Sequence, residues 1–136
     1  MTPEQLAAVH ARAMIVPRSW SAAEFGEILN SATIILSVHS AGFALGRVVL
    51  DEAELLTVAV EPDQQRQGIG RICLENFHLE ARERGADHSI LEVAATNNAA
   101  CTLYRGAGYR DAGLRKAYYR TPTGARIDAI LMRKHL

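Results

Sequence analysis

Between positions 32 and 60 the chain carries three β-prone runs, Thr33 to Val38, Gly42 to Leu50 and Glu54 to Val60, separated only by Ser40-Ala41 and Asp51-Glu52. A parallel return needs a crossover of about a dozen residues or more, so breaks this short allow only antiparallel neighbours. The first half of any sheet is therefore a meander. Helix signals precede it. Thr2-Pro3-Glu4-Gln5 and Ser21-Ala22-Ala23-Glu24 both read as capping boxes, the first with proline at the opening helical position. Leu6, Val9, Ala13 and Met14 give the first helix a buried stripe, Pro17 interrupts it, and Phe25, Ile28 and Leu29 give the second helix its own.

After Val60, Glu61-Pro62-Asp63 ends the strand and a polar glycine loop, Gln65 to Gly70, leads into a long amphipathic helix. Its apolar positions are Ile69, Ile72, Cys73, Phe77 and Ala81, and Gly85 stops it. His88 to Ala94 reads as a strand, and Asn97 to Arg105 as a helix ended by Gly106-Ala107-Gly108. Tyr109 to Leu114 and Ile127 to Met132 read as two closing strands. The 136 residues hold no repeat, linker or low-complexity tract, so residues 1–136 form one mixed α/β domain with a central, mostly antiparallel sheet flanked by helices.

Fifteen basic and 15 acidic side chains leave zero formal charge, which removes a global electrostatic case for nucleic acid or an anionic membrane. Any phosphate binding must be local. The longest apolar run, Ala32 to Val38, is broken by Thr33 and Ser37 and falls far short of the ~20 residues of a membrane span. Met1 to Gln5 lack the basic and apolar stretches of a signal peptide, so the expected location is cytoplasmic. Cys73 and Cys101 form no C-x-x-C pair and read as buried thiols. His10, His39, His78, His88 and His135 are scattered without ligand spacing, so no metal is expected.

The chemistry concentrates at Gln65 to Arg71. Glycines between a strand and a helix let successive N–H groups point into one concavity, and the helix N-terminus adds partial positive charge, which suits a diphosphate. Arg66 and Arg71 add formal charge. A tight turn that needs two glycines is the bland alternative. A dinucleotide fingerprint would need glycine at position 73, which is Cys73, and the G-K-[ST] of a Walker loop is absent. A coenzyme's diphosphate remains as the kind of ligand such a loop can hold.

Gln65-Arg66-Gln67-Gly68-Ile69-Gly70, after the strand Leu55 to Val60, resembles the [QR]-x-x-G-x-[GA] pyrophosphate loop of the GNAT N-acetyltransferase family. Asn97 to Tyr109 resembles that family's N-x-x-A-x-x-L-Y-x-x-x-G-[FY] segment. Val49 to Leu55, Leu91-Glu92-Val93, Ala117-Tyr118-Tyr119 and Asp128 to Met132 look like landmarks of its RimI-like branch, the ribosomal-protein alanine N-acetyltransferases. The resemblance implies the GNAT fold, with acetyl-coenzyme A as cosubstrate and a protein N-terminus, possibly that of a ribosomal protein, as acceptor. It implies that Glu92 is the general base and Tyr104 the general acid. By the same resemblance, the backbone of Val58, Ala59 and Val60 holds pantetheine and thioester, while Arg66, Gln67, Gly68, Ile69, Gly70 and Arg71 form the pyrophosphate loop. Asn97 matches a coenzyme contact.

Read alone, these residues have ordinary alternatives. Glu92 in an apolar strand is often a solvent-facing or salt-bridged carboxylate, and Tyr104 on a packed helix is often core. Asn97 is an expected helix N-cap with or without a ligand. Trp20, Tyr118 and Tyr119 can line an acceptor-peptide cleft, since aromatic rings offer rigid contact area, or can be surface and edge-strand positions. Several positions depart from the family. Its opening strand is missing, Ala94 stands where arginine is expected, and Thr121 to Asp128 lacks the Gly-Arg-Glu-Asp run. A small amine or a lysine side chain is then an alternative acceptor, and a coenzyme-binding or interaction module without turnover is an alternative role.

Overall fold

Both capping boxes form. Thr2 Oγ1 accepts the Gln5 N–H at 3.1 Å while Gln5 Oε1 accepts the Thr2 N–H at 2.7 Å, opening α1 (Pro3–Ala13). Ser21 and Glu24 make the same reciprocal pair at 3.2 and 3.0 Å, opening α2 (Ala22–Leu29). The structure is a computed structural model in which residues 1–14 and 18–136 are described; Pro17, read above as a helix break, lies outside them.

The meander follows as β1 (Ile34–His39), β2 (Gly42–Val49) and β3 (Glu52–Val60), each antiparallel to the next. A short 3-10 turn (Pro62–Gln64) leads to α3 (Ile69–Glu83), then β4 (His88–Ala94), α4 (Asn98–Gly106), β5 (Arg110–Arg120) and β6 (Arg126–His135). The strand order is β1-β2-β3-β4-β6-β5, so the fold is a mixed α/β sandwich on one six-stranded sheet. β1 and β5 form its edges.

Side chains alternate across the sheet and feed two cores. On β2, Ala44 and Val48 join Cys73, Leu74 and Phe77 of α3, together with Cys101 and Tyr104 of α4. Phe43 and Leu45 face the other way, onto Leu6 and Val9 of α1 and Phe25 of α2. Helices therefore cover both faces.

Two features of the sheet position the site. First, β3 and β4 are the one parallel pair among the described residues, and their pairing is confined to Glu52–Glu54 against His88–Ile90. Beyond Glu54 the two strands part, so β3 runs on toward Val60 without β4 beside it. Second, β5 extends to Arg120, six residues past the end expected from the sequence, and pairs along β6 with register shifts between Asp111 and Gly113 and between Arg115 and Tyr119. Nearly all of β5 is exposed, so no alternation of apolar residues marks its second half.

Candidate active site

The glycine loop turns on two left-handed residues, Arg66 at φ 64° and Gly68 at φ 80°. Gly68 is the N-cap of α3 and offers no side-chain cap, and the first helical bond runs from Ile72 N–H to Gly68 O at 3.0 Å. The N–H groups of Ile69, Gly70 and Arg71 are thus left without partners from the helix itself. Gly70 lies inside the first turn with no unusual φ, so only Gly68 of the two glycines is needed for the turn.

These groups border a cavity of about 440 Å³ that opens where β3 and β4 part. Val58, Ala59 and Val60 form its β3 wall, Arg66, Gly68, Ile69, Gly70 and Arg71 its loop end, and Asn97, Leu103 and Tyr104 its α4 wall. Gln67 is exposed and lies outside the lining. Arg66 makes no ion pair among the described residues, whereas Arg71 shares its charge with Glu75 at 3.0 Å. Asn97 is the N-cap of α4, accepting the Ala100 N–H at 3.1 Å, and also borders the cavity, so its two readings coexist. Gln65, the first residue of the loop motif, lines it together with its neighbour Gln64, and so do Ala13 and Met14 from the end of α1, which no signal in the sequence connects with the loop.

Tyr104 and Asn97 also border a second, smaller cavity of about 80 Å³, together with Glu92, Trp20, Thr57, His10 and Tyr119. Tyr104 therefore stands at the junction of the two. It is 7% exposed, and burial first, then the nearby Tyr109, Cys101 and Tyr119, pushes its phenol well above the usual range. Its proton is retained at neutral pH. The end of α4 fixes its place: Gly108, at φ 101°, lets Tyr109 N–H reach Tyr104 O at 3.0 Å and Gly108 N–H reach Arg105 O at 3.0 Å. That is a Schellman stop, and the Tyr109 and Tyr104 rings pack at 6.0 Å across it.

Glu92 points from β4 with its side chain 31% exposed, and the Arg115 guanidinium lies 3.4 Å from its carboxylate. Arg115 in turn sits 5.2 Å over the Tyr118 ring. Tyr119 reaches the small cavity, where burial and then the charge of Glu92 push its hydroxyl up to about 12. Tyr118 is 49% exposed and lies outside the lining. Trp20 lies in it, held from behind by His10. The Trp20 N–H donates to His10 Nδ1 at 2.9 Å, which leaves the proton on Nε2 to be donated to Thr57 Oγ1 at 3.0 Å. Burial lowers the His10 pKa to about 4. Neither His10 nor Arg115 stood out among the site residues in the sequence, although His10 shares the helix face of Leu6 and Val9 at i+4 and i+1.

The sheet thus parts beside a helix N-terminus that no side chain caps, with the Tyr104 phenol where the two cavities meet and the Glu92 carboxylate on the lining of the smaller one. The chain belongs to the acetyltransferase (GNAT) family, whose pattern matches residues 16–109. Within it, the chain is 50% identical over 92 residues to ribosomal protein bS18-alanine N-acetyltransferase of Escherichia coli strain K12, covering 68% of this chain and 62% of that one. The bS18-alanine N-acetyltransferase of Haemophilus influenzae is 33% identical over 135 residues, 98% of this chain and 92% of the relative. The crystal structure of the ribosomal-protein-S18-alanine N-acetyltransferase from Escherichia coli superposes with a TM-score of 0.86 at 37% identity, over 98% of this chain and 86% of that chain.

Proposed function

We propose that this protein is an acetyl-coenzyme A dependent N-acetyltransferase acting on the N-terminal α-amine of a protein that begins with alanine, a ribosomal protein such as bS18 being the first candidate. The observation that carries the reading is Tyr104 at the junction of the cavity of about 440 Å³ beside the glycine loop and a small cavity lined by Glu92. The identity to the bS18-alanine N-acetyltransferases supports the acceptor.

The residues fit the cosubstrate. Three unpartnered N–H groups at the start of α3, with Arg66 and Arg71 beside them, suit a diphosphate. The open flank of β3 at Val58, Ala59 and Val60 offers backbone groups to an amide-bearing arm. Bound there, acetyl-coenzyme A supplies the acetyl thioester.

Glu92 takes a proton from the acceptor ammonium, directly or through water, because only the free amine carries a lone pair for attack. Backbone N–H groups of β3 stabilise the negative charge that develops on the carbonyl oxygen. As the carbon–sulfur bond breaks, Tyr104 donates its phenolic proton to the leaving sulfur, and the second proton that the nitrogen sheds on becoming an amide restores the phenol. The acetyl group passes directly to nitrogen without an acyl-enzyme. Trp20 and Tyr119 flank the acceptor's first residue, and Tyr118 meets the chain further out. The working location is the cytoplasm; no helix of the described residues is long and apolar enough to cross a membrane.

The test is a thiol-release assay with acetyl-coenzyme A and short peptides that differ only in their first residue, beside calorimetric titration of coenzyme A. Release selective for alanine is the expected result. Coenzyme binding with release only on lysine or small amines would overturn the acceptor, and binding with no release at all would make the domain a coenzyme-binding module.

A further inference from the structure

We infer that Asp128 is a positioning residue of the acceptor site, because it clamps the β5 bulge that sets Tyr119 in the small cavity. This inference rests on the acetyl-transfer reading above for what the cavity binds, and on geometry alone for the clamp.

The register of the β5–β6 hairpin shows the bulge. Arg115 pairs with Ala129 and Tyr119 with Ile127, so Lys116, Ala117 and Tyr118 all stand opposite the single residue Asp128. Without the extra residues, Tyr119 would fall two positions further along β6, roughly 7 Å from where it is at the usual rise per strand residue. It would then lie beyond β6, away from Glu92, which pairs with Leu131 on the same strand. Tyr119 therefore lines the small cavity only because the bulge takes up slack.

The bulge needs holding. Ala117 sits at φ 52°, in the left-handed region that side-chain-bearing residues seldom adopt. Its N–H donates to Asp128 Oδ1 at 2.8 Å. The backbone oxygen of the same residue accepts the Ala95 N–H at 2.8 Å, immediately past β4. Asp128 thus joins the strand that carries Glu92 to the strand that carries Arg115 and Tyr119. No Lys, Arg or His forms an ion pair with its carboxylate among the described residues, so its side chain serves the backbone amide rather than a charge partner.

An uncharged acceptor of the same shape should do as well, which separates clamp from charge. Asp128→Leu, Asp128→Asn and Asp128→Leu with Ala117→Gly are compared with the native chain. Three readouts are used: KM for an alanine-initiated hexapeptide, Kd for coenzyme A, and hydrogen exchange at the Ala117 amide. Asp128→Leu is expected to raise the peptide KM roughly tenfold or more, the scale on which misplaced binding groups act, with coenzyme affinity unchanged. Asp128→Asn is expected to stay near native, and Ala117→Gly to recover part of the loss, since glycine tolerates the left-handed turn without a clamp. The Ala117 amide should lose protection in Asp128→Leu while its β5–β6 neighbours keep theirs. An unchanged KM, an Asn variant as impaired as Leu, or unchanged protection at Ala117 would each overturn the inference. If the native chain releases no thiol from any peptide, the acetyl-transfer reading falls, and with it the acceptor role of Asp128; the exchange data then report the clamp separately.

Discussion

The place of Tyr104, on which the proposed acid role depends, is set by where α4 stops. The Schellman turn at Gly108 buries the phenol between the two cavities, and burial keeps its proton in place, yet none of the described side chains hydrogen-bonds its hydroxyl. Tyr104→Phe therefore removes a proton donor without breaking a protein hydrogen bond. It is expected to lower kcat by roughly 10²-fold or more, the usual range for a general acid, and to leave coenzyme affinity intact. Stopped assays of thiol release with calorimetry of coenzyme A check both halves, and a kcat within threefold of native would remove Tyr104 from the reaction. Glu92→Gln should act on kcat to a similar degree, since the amide cannot take the proton, while its shape is kept. Its ion pair with Arg115 is solvent-accessible at both side chains and contributes little to stability, so an unaltered melting temperature is the expected control.

At the scale of elements, the loop before α3 depends on Gly68 for a reason of conformation and not of space. A Cβ there meets nothing within 4 Å, but φ is 80°. Gly68→Ala should cost about 1 kcal/mol in strain, or else shift the loop to relieve it. Either way the three N–H groups lose their alignment, and coenzyme A should bind several-fold more weakly with little change in peptide KM, as titration of each ligand would read. This element was legible in the sequence because all its signals are local: strand, breaker, glycine loop and amphipathic helix follow one another within about thirty residues. The capping boxes, the meander and the Gly85 stop were legible for the same reason. The far half of β5 was not. Arg115 to Arg120 is irregular and, apart from Tyr119, exposed, and its bulge is held by Asp128 from the opposite strand. His10 was hidden likewise, since its partner Thr57 lies 47 residues further on and nothing near His10 announces the bond. The candidate site was readable where a motif is contiguous, and unreadable where its shape is set by contacts across the sheet.

Across the whole molecule three imidazoles are buried, and two of them, His10 and His78, lack a charge partner and sit against the two cores, where they link folding to pH. His10 is tied to Trp20 and Thr57, and His78 donates to or accepts from Tyr109 at 2.7 Å, with Ser89 completing the network at 2.8 Å. Burial lowers both pKa values to about 4, with Lys134 and Arg82 adding to the effect at His78. The sign follows from linkage. Above the ordinary histidine value of 6.5 both states bind no proton at these rings, so stability is unaffected. Between 6.5 and about 4 the unfolded chain takes up protons that the folded chain cannot, and stability falls. Each ring can account for up to about 3 kcal/mol once pH has dropped below both values, on the order of a quarter or more of a typical domain's stability. His88 works in the opposite sense, since Asp87 and Glu52 raise its pKa, and its share of stability is present at low pH and is lost as pH rises through the raised value. That ion pair sits at the sheet end remote from both cavities, where side chains are better hydrated and the effect is smaller. The net expectation is a melting temperature that declines steeply as pH falls from 6.5 to 4. Calorimetric melts across that range, repeated on His78→Phe, read the effect. The substituted chain starts less stable, because the buried Tyr109 hydroxyl loses one of its two partners, but its decline with acid should be shallower by about the share of one ring. Parallel slopes for the two chains would show that acid acts elsewhere in the molecule.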